Sequence, residues 1–207
     1  MTNINAIKSL RIPTAENPLR ILVSACMTGS TCGYDGTSNG TFPSVRHCMN
    51  FTTARIFHFC PEEFSFGTPR EMSDIYGGTG EDVLNGRARV FSESGKDWTE
   101  GMIKASEKML SLAQKHDIEL AILMDISAAC GSQVIYNGNR FSEKKVYQIG
   151  AGVSAAQLIR NGFTVISQRD YASLDVLYAK LDPQHIVTPN VKDHHETDWY
   201  REHFKIL

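Results

Sequence analysis

No run of about 18 apolar residues occurs in the 207-residue chain, so no segment reads as a membrane-spanning helix. The first twenty residues, MTNINAIKSLRIPTAENPLR, are polar and lack the apolar core of a signal peptide, so the expected location is cytoplasmic. A basic surplus is missing too. Lys and Arg number 21 against 23 Asp and Glu, a formal net charge of -2. That argues against binding an extended nucleic acid and leaves a free base, nucleoside or short fragment open. Internal repeats and low-complexity segments are absent. Cysteine is scarce and odd in number, with five in all, and no C-x-x-C pair occurs; the shortest spacing is Cys26 to Cys32. In a reducing compartment an odd count points to metal binding or catalysis before disulfides. The lack of close pairs argues against a closed structural zinc site.

The composition present is that of a folded chain, 42% hydrophobic and 21% charged. The length predicts one domain, over 20–170, with an N-terminal arm at 1–19 and a helical C-terminal extension at 171–207. Short apolar runs at Leu19–Ala25, Arg55–Phe59, Glu119–Met124 and Phe163–Ser167 read as buried strands. A helix is expected over 43–52. Another spans Asp97–His116, with Asp97 and Glu100 at capping-box spacing. A third covers Gly150–Arg160, with Gly162 as its stop signal. A short strand at Arg87–Ser92 and a hairpin over Val134–Phe141, turning at Asn137-Gly138, complete the reading. Strands alternating with helices predict an α/β fold, a mostly parallel Rossmann-like sheet flanked by helices, with small β-hairpins added.

Cys26, Cys60 and Cys130 each lie at or just past the C-terminal end of a predicted buried strand. In an open α/β sheet that edge is where ligands bind, so three separate strands deliver three thiols to one place. Thiolates select zinc, copper(I) or iron–sulfur clusters. Three of them on one centre leave a position open for chemistry. Pro61 directly after Cys60 marks a helix start, which makes Cys60 a candidate cap. Buried core thiols are the plainer alternative, since free cysteine is often buried.

The segment VSACMTGSTCGYDG (23–36) resembles the opening of the family long labelled domain of unknown function 523, whose characterised members are thiouracil desulfidases. That family carries V-S-A-C-L-L-G-x-x-C-R-Y-D-G there. CPEE (60–63), TPRE (68–71), GGTGEDVLNGRARV (77–90), GKDWTEG (95–101), SAACG (127–131), YNGNRFS (136–142) and GAGVSAAQLIRNGFTVIS (150–167) continue the match in order. The resemblance implies a 4Fe-4S cluster on Cys26, Cys60 and Cys130, with one iron free of protein ligands. It also implies Glu62 and Ser127 as groups near the substrate, a thiolated pyrimidine. The expected activity is non-redox removal of sulfur from a 2-thiouracil-like base or nucleoside, giving the oxo compound and hydrosulfide. An iron–sulfur sensor or electron-transfer module, or a zinc hydrolase on the same thiols, are the rival functions. The chain departs from the family at Gly33, where Arg is usual, and at Ala128 and Ala129, where the usual S-P-S-C-G loses a Pro and a Ser.

Taken without the resemblance, Glu62 reads as a helix-start carboxylate favoured by the dipole. Ser127 reads as a loop hydroxyl bonded to its own backbone. Cys32 reads as an incidental thiol beside the site or a redox partner of Cys26, and Cys48 as a core thiol. Asp35 reads first as a turn residue. Gly150-Ala151-Gly152 signals tight helix packing rather than a dinucleotide fingerprint. His194, His195 and His203 read as a solvated tail before a metal site.

Overall fold

A computed structural model describes residues 3–206. Four parallel strands form the central sheet: β1 (Leu19–Ser24), β2 (Ala54–Phe59), β5 (Leu120–Leu123) and β8 (Val165–Ser167), in the order β2-β1-β5-β8. The central strands β1 and β5 are nearly continuous apolar runs because both their faces are covered. Edge strand β2 alternates between half-buried and exposed positions. Side chains alternate between faces, which splits the core in two. Leu22, Ala121 and Leu123 pack with the helices α4 (Gly80–Leu84), α5 (Thr99–Lys115) and α6 (Val153–Arg160). Ile21, Val23, Leu120 and Ile122 pack with α1 (Asn3–Ser9), α2 (Pro43–Met49) and α7 (Tyr171–Leu181) on the other face.

The remaining elements are α3 (Pro61–Phe66), the antiparallel pair β3 (Ser73–Tyr76) and β4 (Arg89–Ser92), the pair β6 (Val134–Tyr136) and β7 (Tyr147–Ile149), and α8 (Asp198–Phe204). From β1 the chain moves to β2 on one side, then crosses to β5 on the other. The loops after β1 and β5 therefore part, and the crevice between them opens at the carboxyl edge of the sheet.

Several sequence expectations are corrected. The N-terminal arm contains α1, whose Ile7 is fully buried in the core that α7 lines; residues 1 and 2 lie outside the described ones. The cap of α5 is Trp98, not Asp97. Asp97 instead accepts the Thr99 amide at 2.9 Å and pairs with Arg89 at 2.6 Å, so its carboxylate is already used one residue early. The predicted two-residue turn at Asn137-Gly138 is a loop over 137–146, because the Gly138 amide bonds Ile75 of β3 instead of closing the hairpin.

Candidate iron–sulfur site

Four of the five cysteines line one cavity of about 320 Å³ at the carboxyl edge of the sheet. Cys26 sits in a single 3₁₀ turn (Ala25–Met27) directly after β1. Cys60 follows β2 and caps α3. Pro61 at the first helical position needs no donor, and the Cys60 sulfur accepts the Glu63 amide at 3.4 Å. Cys130 stands on the loop after β5. Cys32 joins them from the Gly-rich loop after β1, and its thiol contacts Cys60. The remaining thiol, Cys48, is fully buried in α2 on the opposite face, where burial pushes it up to about 12. None of the five forms a disulfide.

The loop after β5 explains the glycines near 150. The first amides of a helix have no partner within it. In α6 they bond the backbone of the cysteine loop: Gly152 to the Gly131 carbonyl at 2.7 Å, Val153 to Ala128 at 2.8 Å and Ser154 to Ala129 at 2.8 Å. Such backbone-on-backbone contact leaves no room for a side chain. A Cβ on Gly152 would lie 2.6 Å from the Ser127 carbonyl oxygen and 2.7 Å from that of Ala128. The same loop carries Ile126 at φ 58, a left-handed conformation that a β-branched residue seldom adopts. Ile126 also lines the cavity.

Glu62, in the first turn of α3, lines the cavity with its carboxylate held by others. Ser73 Oγ donates to Oε1 at 3.2 Å and Arg70 Nη2 lies 3.8 Å from Oε2. Ser127 Oγ accepts the Ala129 and Cys130 amides at 3.2 and 3.1 Å, the local bonding its residue type favours in loops. It lines the cavity as well, and its own hydrogen is free to donate. Asp35 combines two roles: it closes a turn onto Thr37 and stands at the cavity wall.

Burial first, and then the charges of Cys130, Cys60 and Glu62, push the Cys26 thiol well above its ordinary range. Burial does the same at Cys130, opposed by the Ser24 hydroxyl that faces its sulfur. At Cys60 the Cys32 contact and burial raise the thiol. Metal coordination reverses this and deprotonates a thiol outright. One zinc holds its thiolates about 3.8 Å apart, given Zn–S bonds near 2.3 Å. Among the described residues, the donor groups within 4.8 Å of one another are Cys32, Cys60 and Glu63, and Asp170, Asp193 and His195. Cys26 and Cys130 stand outside the first group. The second group is saturated: Asp170 accepts from Asn3, Gln133, Ser167 and His194, and Asp193 from Ser173. Thiolates suit an iron–sulfur cluster, and the three thiols of Cys26, Cys60 and Cys130 that face the cavity match that donor type.

The model of the 2-thiouracil desulfurase family matches residues 21–170. The chain belongs to that family. An uncharacterized protein, YbbK of Bacillus subtilis (strain 168), is 42% identical over 151 residues, which are 72% of this chain and 96% of that protein. A solved structure of the 4Fe-4S-dependent thiouracil desulfidase TudS superposes with a TM-score of 0.59 at 35% identity, covering 72% of this chain and 91% of that one.

Within this family member the cavity also recruits side chains that no sequence argument singled out. Ser24, Arg70 and Arg140 all line it. Each lies inside a motif, in VSAC, TPRE and YNGNRFS, but a motif does not say where a side chain points. Arg70 is 6% exposed and ties the two walls together, donating to the Cys32 carbonyl at 3.1 Å and facing Glu62. Arg140 is anchored to Asp74 at 2.7 Å, a partner 66 residues away. Gly33 has a local reason to lack a side chain: a Cβ there would lie 2.6 Å from the Thr37 carbonyl oxygen. His194 is no solvated tail residue. It is 3% exposed and bonded to Asp125 at 2.7 Å, while His195 and His203 are exposed.

Proposed function

We propose that this protein removes the sulfur of a thiolated pyrimidine, a 2-thiouracil-like base or nucleoside, and releases it as hydrosulfide. The observation that carries the reading is the convergence of Cys26, Cys60 and Cys130 with Glu62 and Ser127 on one cavity, in a chain of the 2-thiouracil desulfurase family whose structural neighbour is 4Fe-4S-dependent. Cys26, Cys60 and Cys130 would hold the cluster, leaving one iron without a protein ligand. When bound, the cluster supplies a soft Lewis-acid position that polarises a thiocarbonyl bond.

The chain's own groups do the rest. The Glu62 carboxylate takes a proton from the attacking water as general base and returns it to the departing sulfur. Ser73 and Arg70 hold that carboxylate against the cavity wall, so it does not swing out to solvent. The Ser127 hydroxyl, with its acceptor side occupied by two amides, donates to the pyrimidine ring and orients it. Overall, C=S and H₂O become C=O and H₂S, which balances without an electron donor.

Anaerobic reconstitution followed by a panel of thiopyrimidines tests the reading. The expected result is a brown protein with about four irons and four sulfides per chain. It should release sulfide and the oxo base in equal amounts. A reconstituted cluster that frees no sulfide from any thiopyrimidine sinks the desulfidase reading and favours the sensor. Colourless protein with stoichiometric zinc favours the hydrolase on the same three thiols, with Cys32, Cys60 and Glu63 as a second candidate donor group.

A further inference from the structure

The segment 171–206 lies beyond the 21–170 span of the family model, yet it reaches the loop that carries Ser127 and Cys130. The link is Asp125, the second residue after β5, whose side chain is fully buried. Its Oδ1 accepts the amides of Ser132, Gln133 and Val134 at 3.1, 3.2 and 3.2 Å and so closes the 125–134 loop on itself. Its Oδ2 has a different partner, Nδ1 of His194 at 2.7 Å. An ionised carboxylate only accepts, so Nδ1 is the donor. Burial alone would raise this carboxyl; the His194 bond, then the Val134 and Gln133 amides, outweigh it and hold it below its ordinary range. A second strut runs beside the first. Gln133 Nε2 donates to both oxygens of Asp170 at 2.6 Å, and Asp170 accepts the His194 amide at 3.1 Å. Asp193 seats the segment by accepting the Ser173 amide at 2.8 Å and its hydroxyl at 2.6 Å.

The loop held this way is strained. Ile126 keeps a left-handed backbone between Asp125 and Ser127. Such strain persists only where the surroundings over-determine it. Without a donor at Oδ2, the buried carboxylate would carry an uncompensated oxygen. It would recover solvation only by turning away from the three amides that shape the loop.

We propose that His194 is a positioning residue of the C-terminal segment, which acts through Asp125 to fix the Ile126–Gly131 turn and with it the places of Ser127 and Cys130 at the cavity. The effect on catalysis rests on the desulfidase reading; the effect on the loop does not.

The experiment compares His194→Leu, which removes the donor, with His194→Asn, whose amide N–H stands near the place of Nδ1. Three readouts are taken on the cluster-loaded chain: hydrogen exchange of the peptide covering residues 132–134, the electron paramagnetic resonance signature of the reduced cluster, and KM against kcat for 2-thiouracil. In His194→Leu, exchange at 132–134 speeds up about tenfold or more, the scale of one buried hydrogen bond lost. The cluster signature shifts and KM rises more than kcat falls. His194→Asn stays near wild type in all three. The proposal is overturned if exchange and signature are unchanged in His194→Leu, or if Leu and Asn behave alike, since ring packing would then be what matters. Should His194→Leu not fold, His194→Gln replaces it, because its amide reaches past the Nδ1 position; equal behaviour of Gln and Asn again overturns the proposal. If wild-type protein turns over no thiopyrimidine, the desulfidase reading falls, while exchange and cluster signature still judge His194.

Discussion

The loop after β1 and the loop after β5 both bring a cysteine to the cavity, and they are held in opposite ways. The first is mostly exposed and built from short-range bonds: Gly33 to Thr37, Gly36 back to Gly33, and Asp35 onto Thr37. Its long-range ties run to one neighbouring segment, through Thr68 and Arg70. The second is buried and has almost no local freedom. Helix α6 donates three amides into it, Asp125 closes it, and His194 secures Asp125 from the far end of the chain. The difference divides the labour. The β5 loop is the rigid side, which sets Cys130, proposed as a cluster ligand, and the hydroxyl of Ser127. The β1 loop is the more exposed and adaptable wall, although Gly33 itself takes a side chain only if the Thr37 carbonyl moves.

The largest effect expected along this divide is at the thiols themselves. Cys130→Ser should cut sulfide release to below about one-thousandth of wild type, the scale of removing a group that carries the chemistry. Cys26→Ser and Cys60→Ser should match it, with loss of bound iron. Cys32→Ser, in the adaptable loop, should keep its iron and most of its activity. Iron and sulfide assays on the four variants decide the point, and equal loss in Cys32→Ser would make it a ligand.

Next in size is a pair of glycine changes compared by urea midpoints. Gly152→Ala forces a methyl into the carbonyls of the rigid loop and should cost about 3 kcal/mol, at the upper end of ordinary overpacking. Gly36→Ala meets nothing within 4 Å and has only its positive φ of 82 to contend with, a cost of about 1 kcal/mol. Comparable losses at both positions would remove the contrast between the loops.

Acid should weaken the rigid loop in a defined window. The Asp125 carboxyl sits below its ordinary 3.8, with Asp170 and the Tyr200 hydroxyl nearby and His194 as its donor. A depressed carboxyl stabilises fully above its unfolded value and loses that stabilisation as pH falls through the folded one. The stability gap between wild type and His194→Leu should thus be about 1–3 kcal/mol at pH 7, the cost of an unsatisfied buried group. It should close as the pH falls below 3.8. Thermal melts across that range check the sign; a gap that widens in acid contradicts it.

The smallest effect belongs to Gly33→Arg. The Cβ would lie 2.6 Å from the Thr37 carbonyl oxygen, a backbone atom that must shift, and in this exposed loop stability should fall by about 1 kcal/mol, the lower end of overpacking. Any change should fall on KM for the thiopyrimidine, leaving the cluster spectrum as in wild type.

Much of this arrangement was legible along the chain. Strands β1 and β5 are apolar runs because both sheet faces are buried there, and the mixed run of edge strand β2 ends at Cys60, so the places of Cys26, Cys60 and Cys130 past strand ends could be read locally. The Cys60 cap followed from Pro61. Asp97 misled because its carboxylate was taken by Arg89 and Thr99, a competition that capping-box spacing does not record. Helix α1 was missed because its seven residues are short for a helix and only one side chain, Ile7, is buried, against partners on α7 that lie far along the sequence.

The sequence by itself determined the four strands of the central sheet, helices α5 and α6, the three strand-end thiols and the family. Only the tertiary structure decided that Cys32 meets Cys60, that Arg70 faces Glu62, that the α6 amides seat the Cys130 loop, and that His194 reaches Asp125. Apart from Arg70 and Glu62, those are pairings between groups more than about twenty residues apart. Local propensity governs which residues form a strand, but a buried donor finds its acceptor only after the layers have closed around both.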